Sequence, residues 1–218
     1  MTAQDTWRQA RSWQSETHTA FRDQVRRFLA SEMEVHGERW ENDGVAERGY
    51  CTRAAELGML AAQVPEKYGG SGFDISYGLV VSEEIAYALA PNTLQTHSDV
   101  VVDYVLHFAN EDLKHRWLPG SCDGSAIGAI AMTEPGAGSD LHSLRTMARR
   151  AEEKWIVNGS KTHISNGQLC DYVVTATKTD GAKGLSLLLI PTHAVGFKRG
   201  RNLDKIGQHS GDTSELFY

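Results

Sequence analysis

The chain has 218 residues, of which 40% are hydrophobic and 23% charged, with a net charge of −6. That is ordinary for a globular protein with a substantial core, in one large domain or two small ones. The acidic balance argues against nucleic-acid binding, which calls for a basic surface. No apolar run approaches the roughly 20 residues that cross a bilayer, and Met1 to Ser15 lacks the apolar centre of a signal peptide. Cys51, Cys122 and Cys170 are too scattered for a disulfide framework or a C-x-x-C site. They read as small packing residues in a reducing cytoplasm.

In chain order, the first helix carries Phe21, Val25, Phe28, Leu29 and Met33 as one apolar stripe, with Arg22, Asp23, Arg26 and Arg27 on the wetter side. A second helical segment runs over 45–62, with Gly58 weakening its end. The stretch 64–72 (VPEKYGGSG) lacks the Gly-Lys-Ser/Thr ending of a phosphate loop, which favours a connecting turn. A third helix over 77–90 is apolar at Leu79, Val80, Ile85 and Leu89. After Pro91-Asn92 a fourth segment, 93–108, is apolar enough to be buried on most sides. Asn110 is placed to cap a short helix that starts with Glu111 and Asp112 and ends near Pro119-Gly120.

Beyond Gly124 the periodicity becomes strand-like. The run 128–140 (GAIAMTEPGAGSD) is a buried strand leaving through a glycine turn, where Gly136 and Gly138 can adopt conformations closed to other residues and leave N–H groups uncovered. With the Thr133 and Ser139 hydroxyls beside them, these suit a polar or anionic ligand. The segment 155–161 is a strand entering an Asn158-Gly159 hairpin turn. Further strands are expected over 171–177, 185–190 and 213–218. Closely spaced strands without long helices between them predict an antiparallel sheet or barrel. The chain stops inside its last strand, which reads as a piece of something longer.

Several chemistries fail on these residues. A dinucleotide fingerprint needs glycine where Leu141 stands. His97, His107, His115, His142, His163, His193 and His209 form no zinc-type pair or cluster, so no metal site is assigned. Ser139 lies in no Gly-x-Ser-x-Gly elbow. Glu134, beside a proline and a tight turn, is placed to accept backbone N–H bonds rather than to act as a base. The polar run 161–167 (KTHISNG) fits either a locally bonded turn or, together with 128–140, a grip on a planar hydrogen-bonding cofactor.

The motifs 131–141 (AMTEPGAGSDL) and 158–167 (NGSKTHISNG) resemble the flavin-binding segments of the acyl-CoA dehydrogenases, and 65–70 (PEKYGG), 200–207 (GRNLDKIG) and 212–217 (DTSELF) resemble further segments of that family, with all five in its order. The likeness covers roughly residues 15 to 218 and is strongest to the long-chain type. It implies an α+β protein: an N-terminal all-helical domain over 15–127, then a middle antiparallel β-barrel domain over 128–218, incomplete, with the C-terminal four-helix domain lacking. It implies FAD as cofactor, lined by Ile130, Ala131, Met132 and Thr133, with Gly138 and Ser139 near its phosphates and Ser139 also touching the acyl-CoA. His163, Ile164 and Ser165 would pack on the flavin, the Ser165 hydroxyl near N5. The family usually has Trp or Phe where His163 stands and often Thr where Ser165 stands, so flavin affinity or redox tuning would differ here.

The implied reaction is α,β-dehydrogenation of an acyl-CoA in fatty acid metabolism, with electrons passed to an electron-transfer flavoprotein and a homo-oligomer, dimer or tetramer, in the full-length protein. The family's glutamate base has no counterpart in this chain, so no catalytic residue is assigned. Two alternatives stand beside it: an acyl-CoA oxidase or related flavin monooxygenase, and a non-catalytic flavin- or acyl-CoA-binding partner subunit.

Overall fold

The computed structural model describes residues 11–179 and 184–218. The first ten residues of the polar N-terminus therefore lie outside the described residues. Helix α1 spans Glu16–Asp43. It opens on Ser15, whose hydroxyl accepts the His18 amide while the His18 ring accepts the Ser15 amide, a reciprocal cap. It closes on Gly44, whose left-handed φ of 72° is glycine's ordinary role at a helix end. Helix α2 is Arg48–Glu56 and α3 is Ile75–Ala88. Between them Glu66–Tyr68 forms a single 3₁₀ turn, in keeping with the turn-rich composition there.

Residues 93–108 make a composite helix, α4: an α turn Thr93–Gln95, a π segment Thr96–Val102 and an α segment Asp103–Phe108. Helix α5 is Glu111–Asp123, capped by Asn110, whose side chain accepts the Leu113 amide at 2.9 Å. It does not end at Pro119, which lies inside it. Pro119 removes one amide from the ladder, yet the helix continues to Gly124, which ends it in the left-handed conformation.

Some faces differ from the sequence expectation. Arg22 is not on a wet face: it is 8% exposed and donates to Glu84 at 2.7 Å. Glu84 is 2% exposed and also receives Arg26 at 3.0 Å. An ion pair between α1 and α3 thus occupies a place that charge alone assigns to solvent. Conversely, Leu79 and Leu89, at the surface of α3 and its C-cap, and Val100 and Phe108 on α4 are exposed.

Among the described residues eight strands follow: β1 Gly128–Ala131, β2 Met147–Ala151, β3 Lys154–Asn158, β4 Ser160–Ser165, β5 Tyr172–Thr179, β6 Leu185–Pro191, β7 Lys198–Asn202 and β8 Thr213–Phe217. The α+β class is observed, but the strands are not all antiparallel. β1 and the start of β2 run parallel to β5, with β6 antiparallel to β5 and β3 beyond β2. β4, β8 and β7 form a separate antiparallel sheet. Parallel pairing is available because a long excursion, residues 132–171, separates β1 from β5.

The expected Asn158-Gly159 hairpin is also absent. The two-residue hairpin is Glu152-Glu153, joining β2 to β3, with Glu152 at a φ of 55°. Gly159 instead carries the chain from one sheet to the other, exchanging backbone bonds with Tyr218. A Cβ there would stand 2.3 Å from the Thr146 hydroxyl, so close packing explains the glycine.

The alternation of β1 and β5 sets the layers. Tyr172 and Val174 pack with the helices against Val101, Val105 and Trp117. Ala129, Ala131 and Val173 face the second sheet through Ile164 and Leu216. All three cysteines are free and buried, and burial pushes the Cys51 and Cys170 thiols up to about 12, as expected of packing residues.

Removing the Glu84 carboxylate should be costly, because it leaves the buried Arg22 with Glu83 alone as counter-charge and takes from Arg26 the carboxylate it shares with Arg22. Glu84→Ala is expected to lower the unfolding free energy by about 3 kcal/mol, measured by urea denaturation followed by circular dichroism.

Candidate flavin cradle

β1 leaves its sheet at Ala131, and the chain turns back at once. Glu134 and Ala137 exchange backbone bonds of 2.8 and 3.1 Å around Pro135-Gly136, a tight turn with proline in its first corner. The turn is held from beneath by its own glutamate. Glu134 accepts the Arg145 amide at 2.6 Å, the Thr146 amide at 3.0 Å and Lys161 Nζ at 3.0 Å. Burial alone would raise its pKa; the donors from Thr146, Arg145 and Lys161 outweigh that and hold it at about 2. A carboxylate bonded in this way is a weak proton acceptor, in line with the structural role expected for it.

Lys161 is the partner that sequence reasoning misses. Its side chain is fully buried, and besides Glu134 it donates to the Met132 carbonyl at 3.0 Å. Burial pulls the ammonium pKa down and Glu134 pushes it back. No local signal separates it from an ordinary surface lysine. It stands three residues before Ile164, and a regular strand would put the two on opposite faces; an irregularity between them leaves both buried. One further bond completes the junction: the Thr162 amide donates to the Thr133 carbonyl at 2.9 Å. The two motifs thus lie side by side.

The pairing of β4 with β8 slips between Lys161 and Ile164. This bulge puts His163 at a φ of 58° and turns its ring to the surface. Asn166, also at positive φ, is buried and donates to the Thr93 and Gly128 carbonyls at 3.1 and 3.4 Å, tying the end of β4 to α4 and the start of β1. From the other side, buried His97 of α4 accepts the Gly128 amide on Nδ1 at 2.9 Å and reaches the Ser121 carbonyl with Nε2 at 3.0 Å. Burial drops its pKa to about 4, so the ring is neutral. Neither contact is visible in the sequence beyond the expectation of a hydrogen-bonded histidine.

The expected site residues divide by this geometry. Thr133 and Ser165 are half-buried, His163, Gly138 and Ser139 are exposed, and Ile130 and Met132 are partly covered. Ala131 and Ile164 point into the core between the sheets, so only their main chain can meet a ligand. Gly136 and Gly138 are not at positive φ, contrary to the expectation for them, and a Cβ on either meets nothing within 4 Å. Among the described residues, no hydrogen bond joins Ser139 to His163, and the amides of Thr133, Gly138 and Ser139 take no acceptor within the chain. No group of three or more metal-ligating side chains occurs among the described residues.

The family model described as acyl-CoA dehydrogenase, N-terminal domain, matches residues 15–125, and the one for the middle domain matches residues 129–218. The mouse mitochondrial long-chain specific acyl-CoA dehydrogenase is 40% identical over 210 residues, covering 94% of this chain and 49% of the relative. The crystal structure of an acyl-CoA dehydrogenase from Geobacillus kaustophilus superposes with a TM-score of 0.91 at 41% identity, covering 96% of this chain and 57% of that one. An acyl-CoA dehydrogenase from Bacillus anthracis complexed with FAD gives 0.87 at 28% identity, covering 94% and 36%. The chain spans about half the length of the curated relatives it matches.

Because Glu134 is bonded to three donors in the folded state, its contribution to stability depends on pH in one direction. Its folded pKa of about 2 lies below its ordinary 4.5, so the stabilisation is present above 4.5 and lost as pH falls toward 2. Lys161→Met should lower stability by roughly 3 kcal/mol at neutral pH and flatten this acid limb, checked by urea denaturation at a series of pH values.

Proposed function

This chain belongs to the acyl-CoA dehydrogenase family, and we propose that it forms the flavin cradle and part of the acyl pocket for FAD-dependent α,β-dehydrogenation of an acyl-CoA thioester. The observation that carries this reading is the Thr162–Thr133 bond, which sets the two motifs edge to edge and leaves the neighbouring donors without acceptors in the chain. In this reading the uncovered Thr133 amide and hydroxyl meet the hydrogen-bonding edge of the flavin ring, and the Gly138 and Ser139 amides meet its phosphates. Gly136 and Gly138 support it, since neither φ nor crowding inside the chain requires glycine there; an approaching ligand does. His163 offers an exposed flat ring, Ser165 a hydroxyl, and Ala131 and Ile164 their main chain.

Bound FAD supplies the hydride acceptor, and the chain's residues hold and orient it. Ser139, exposed at the turn, is the residue proposed to touch the acyl-CoA as well. The base is not assigned: Glu134, the carboxylate within the first motif, is buried and already accepts three donors. We therefore take residues 15–127 and 128–218 as two parts of a larger functional unit, inactive without the base. Transfer of electrons to an electron-transfer flavoprotein, assembly as a homo-oligomer and a cytoplasmic location belong to the same proposal, although the mouse relative's name places that protein in the mitochondrion. No described helix is long and apolar enough to cross a membrane.

Titration of the purified chain with FAD, followed by flavin fluorescence, should show saturable binding. Thr133→Val and Ser165→Ala should each weaken it about tenfold, as the loss of one hydrogen bond to a polar ligand does, while Ile164→Val should leave it almost unchanged. No binding would sink the cradle. Steady enoyl-CoA formation by this chain with an artificial electron acceptor would show that the base lies within it.

A further inference from the structure

Between α3 and α4 lies a groove of about 380 Å³ that the cradle does not use, open to solvent along Ile75 and Leu79, which are 74% and 51% exposed. That volume lies in the range of small-molecule sites. It sits on the side of α4 away from β1: His97 and Val101 turn toward Gly128, while Asp99, Asp103 and Leu106 line the groove.

The lining is amphipathic. Ile75, Leu79 and Leu106 form an apolar side, and Asp99 and Asp103, four residues apart, form an anionic one. Both carboxylates are held by neutral donors: Ser82 Oγ donates to Asp99 at 2.7 Å, and Gln63 Nε2 to Asp103 at 3.0 Å. A third, Asp74 at the rim, accepts the Ser76 amide at 2.8 Å. No lysine or arginine lines the groove, and among the described residues none pairs with these three aspartates. His107, exposed at the edge, is the one lining side chain that can become cationic.

Two further observations favour an incoming cation. Partial desolvation by the walls of the groove raises the pKa of Asp99, although its outer edge is exposed; the Ser82 bond offsets this in part and Asp103 adds to it, and a positive charge nearby would reverse that cost. Gly78 of α3 faces Asp99, and a Cβ there would come within 3.3 Å of its Oδ1. The missing side chain keeps the carboxylate reachable.

We propose that this groove is a site for an alkylammonium group, the charge lying between Asp99 and Asp103 and the apolar stem along Ile75, Leu79 and Leu106. Two sources share that chemistry: a free alkylammonium compound, and the far end of an ω-aminoacyl chain carried by the same protein. The second source rests on the acyl-CoA reading of the chain; the site itself does not.

Isothermal titration of the full chain with hexyltrimethylammonium, hexanol and hexyl sulfate tests it without flavin or turnover. The cation should bind, hexanol should bind at least about tenfold more weakly and the sulfate not measurably. Asp99→Asn and Asp103→Asn should each cost about tenfold with an unchanged melting transition, which separates lost charge from lost fold. Equal binding of hexanol or the sulfate, no heat with the cation, or undiminished binding by the doubly substituted chain overturns the proposal. Displacement of the bound cation by an ω-aminoacyl-CoA supports the substrate source; binding without such displacement supports the free compound. FAD titration of the same samples keeps a failure here distinct from a failure of the cradle.

Discussion

Lys161 Nζ stands 3.0 Å from Glu134 and 3.0 Å from the Met132 carbonyl with its side chain closed to solvent. The placement of the candidate site follows from that ammonium. Taking two charges out of water costs several kcal/mol each in rough terms, and their attraction offsets it only when every remaining lone pair and proton is used. Here most of that condition is met. Glu134 turns its other lone pairs to the amides of Arg145 and Thr146, and Lys161 gives a second proton to a carbonyl at the exit of β1. Three segments distant in sequence are thereby pinned around one point. The Thr133 and Thr162 backbones are then close enough to bond, and the bulge that follows turns His163 outward.

Much of this is legible in the residues, though unevenly. The change from helical to strand periodicity, the Asn110 cap and the strands at 171–177, 185–190 and 213–218 all rest on local chemistry: repeat of apolar positions, a side-chain acceptor, β-branched runs. The structural role of Glu134 is legible too, because a carboxylate beside a tight turn has amides to accept. The partner that makes it matter is not. A lysine in a strand looks the same whether it points to water or to a buried carboxylate 27 positions away, and only tertiary contact distinguishes them. Arg22 is the same case on a helix, where charge suggests solvent and Glu84 decides otherwise.

The glycines show the opposite error, in which a real signal invites the wrong local cause. Asn158-Gly159 has the composition of a hairpin turn, yet its glycine serves the close passage of Thr146, and the hairpin is made by two glutamates. Gly136 and Gly138 suggest unusual backbone angles that they do not adopt. At Gly159 the neighbour that excludes a side chain is Thr146; at Gly136 and Gly138, in the proposed reading, it is the ligand. The parallel entry of β1 beside β5 is illegible for a related reason: strand direction depends on the path of the intervening residues 132–171, which no window of periodicity contains.

The π segment Thr96–Val102 gives α4 a different kind of constraint. A π turn accommodates one residue more than the α-helix around it, so it sets the angular phase of everything downstream. On its strand side the helix must offer His97 and Val101 to Gly128, and on its far side Asp99 and Asp103 to the groove. Removing one residue from the segment would let it relax to ordinary α geometry and rotate residues 103–108 by about 100° about the axis. Asp103 and Val105 would then leave their groove and core surroundings. Single substitutions leave that phase intact, whereas a one-codon deletion does not. The length of this stretch is therefore as constrained as its buried residues His97, Ser98 and Val101, whereas an exposed loop tolerates a change of length.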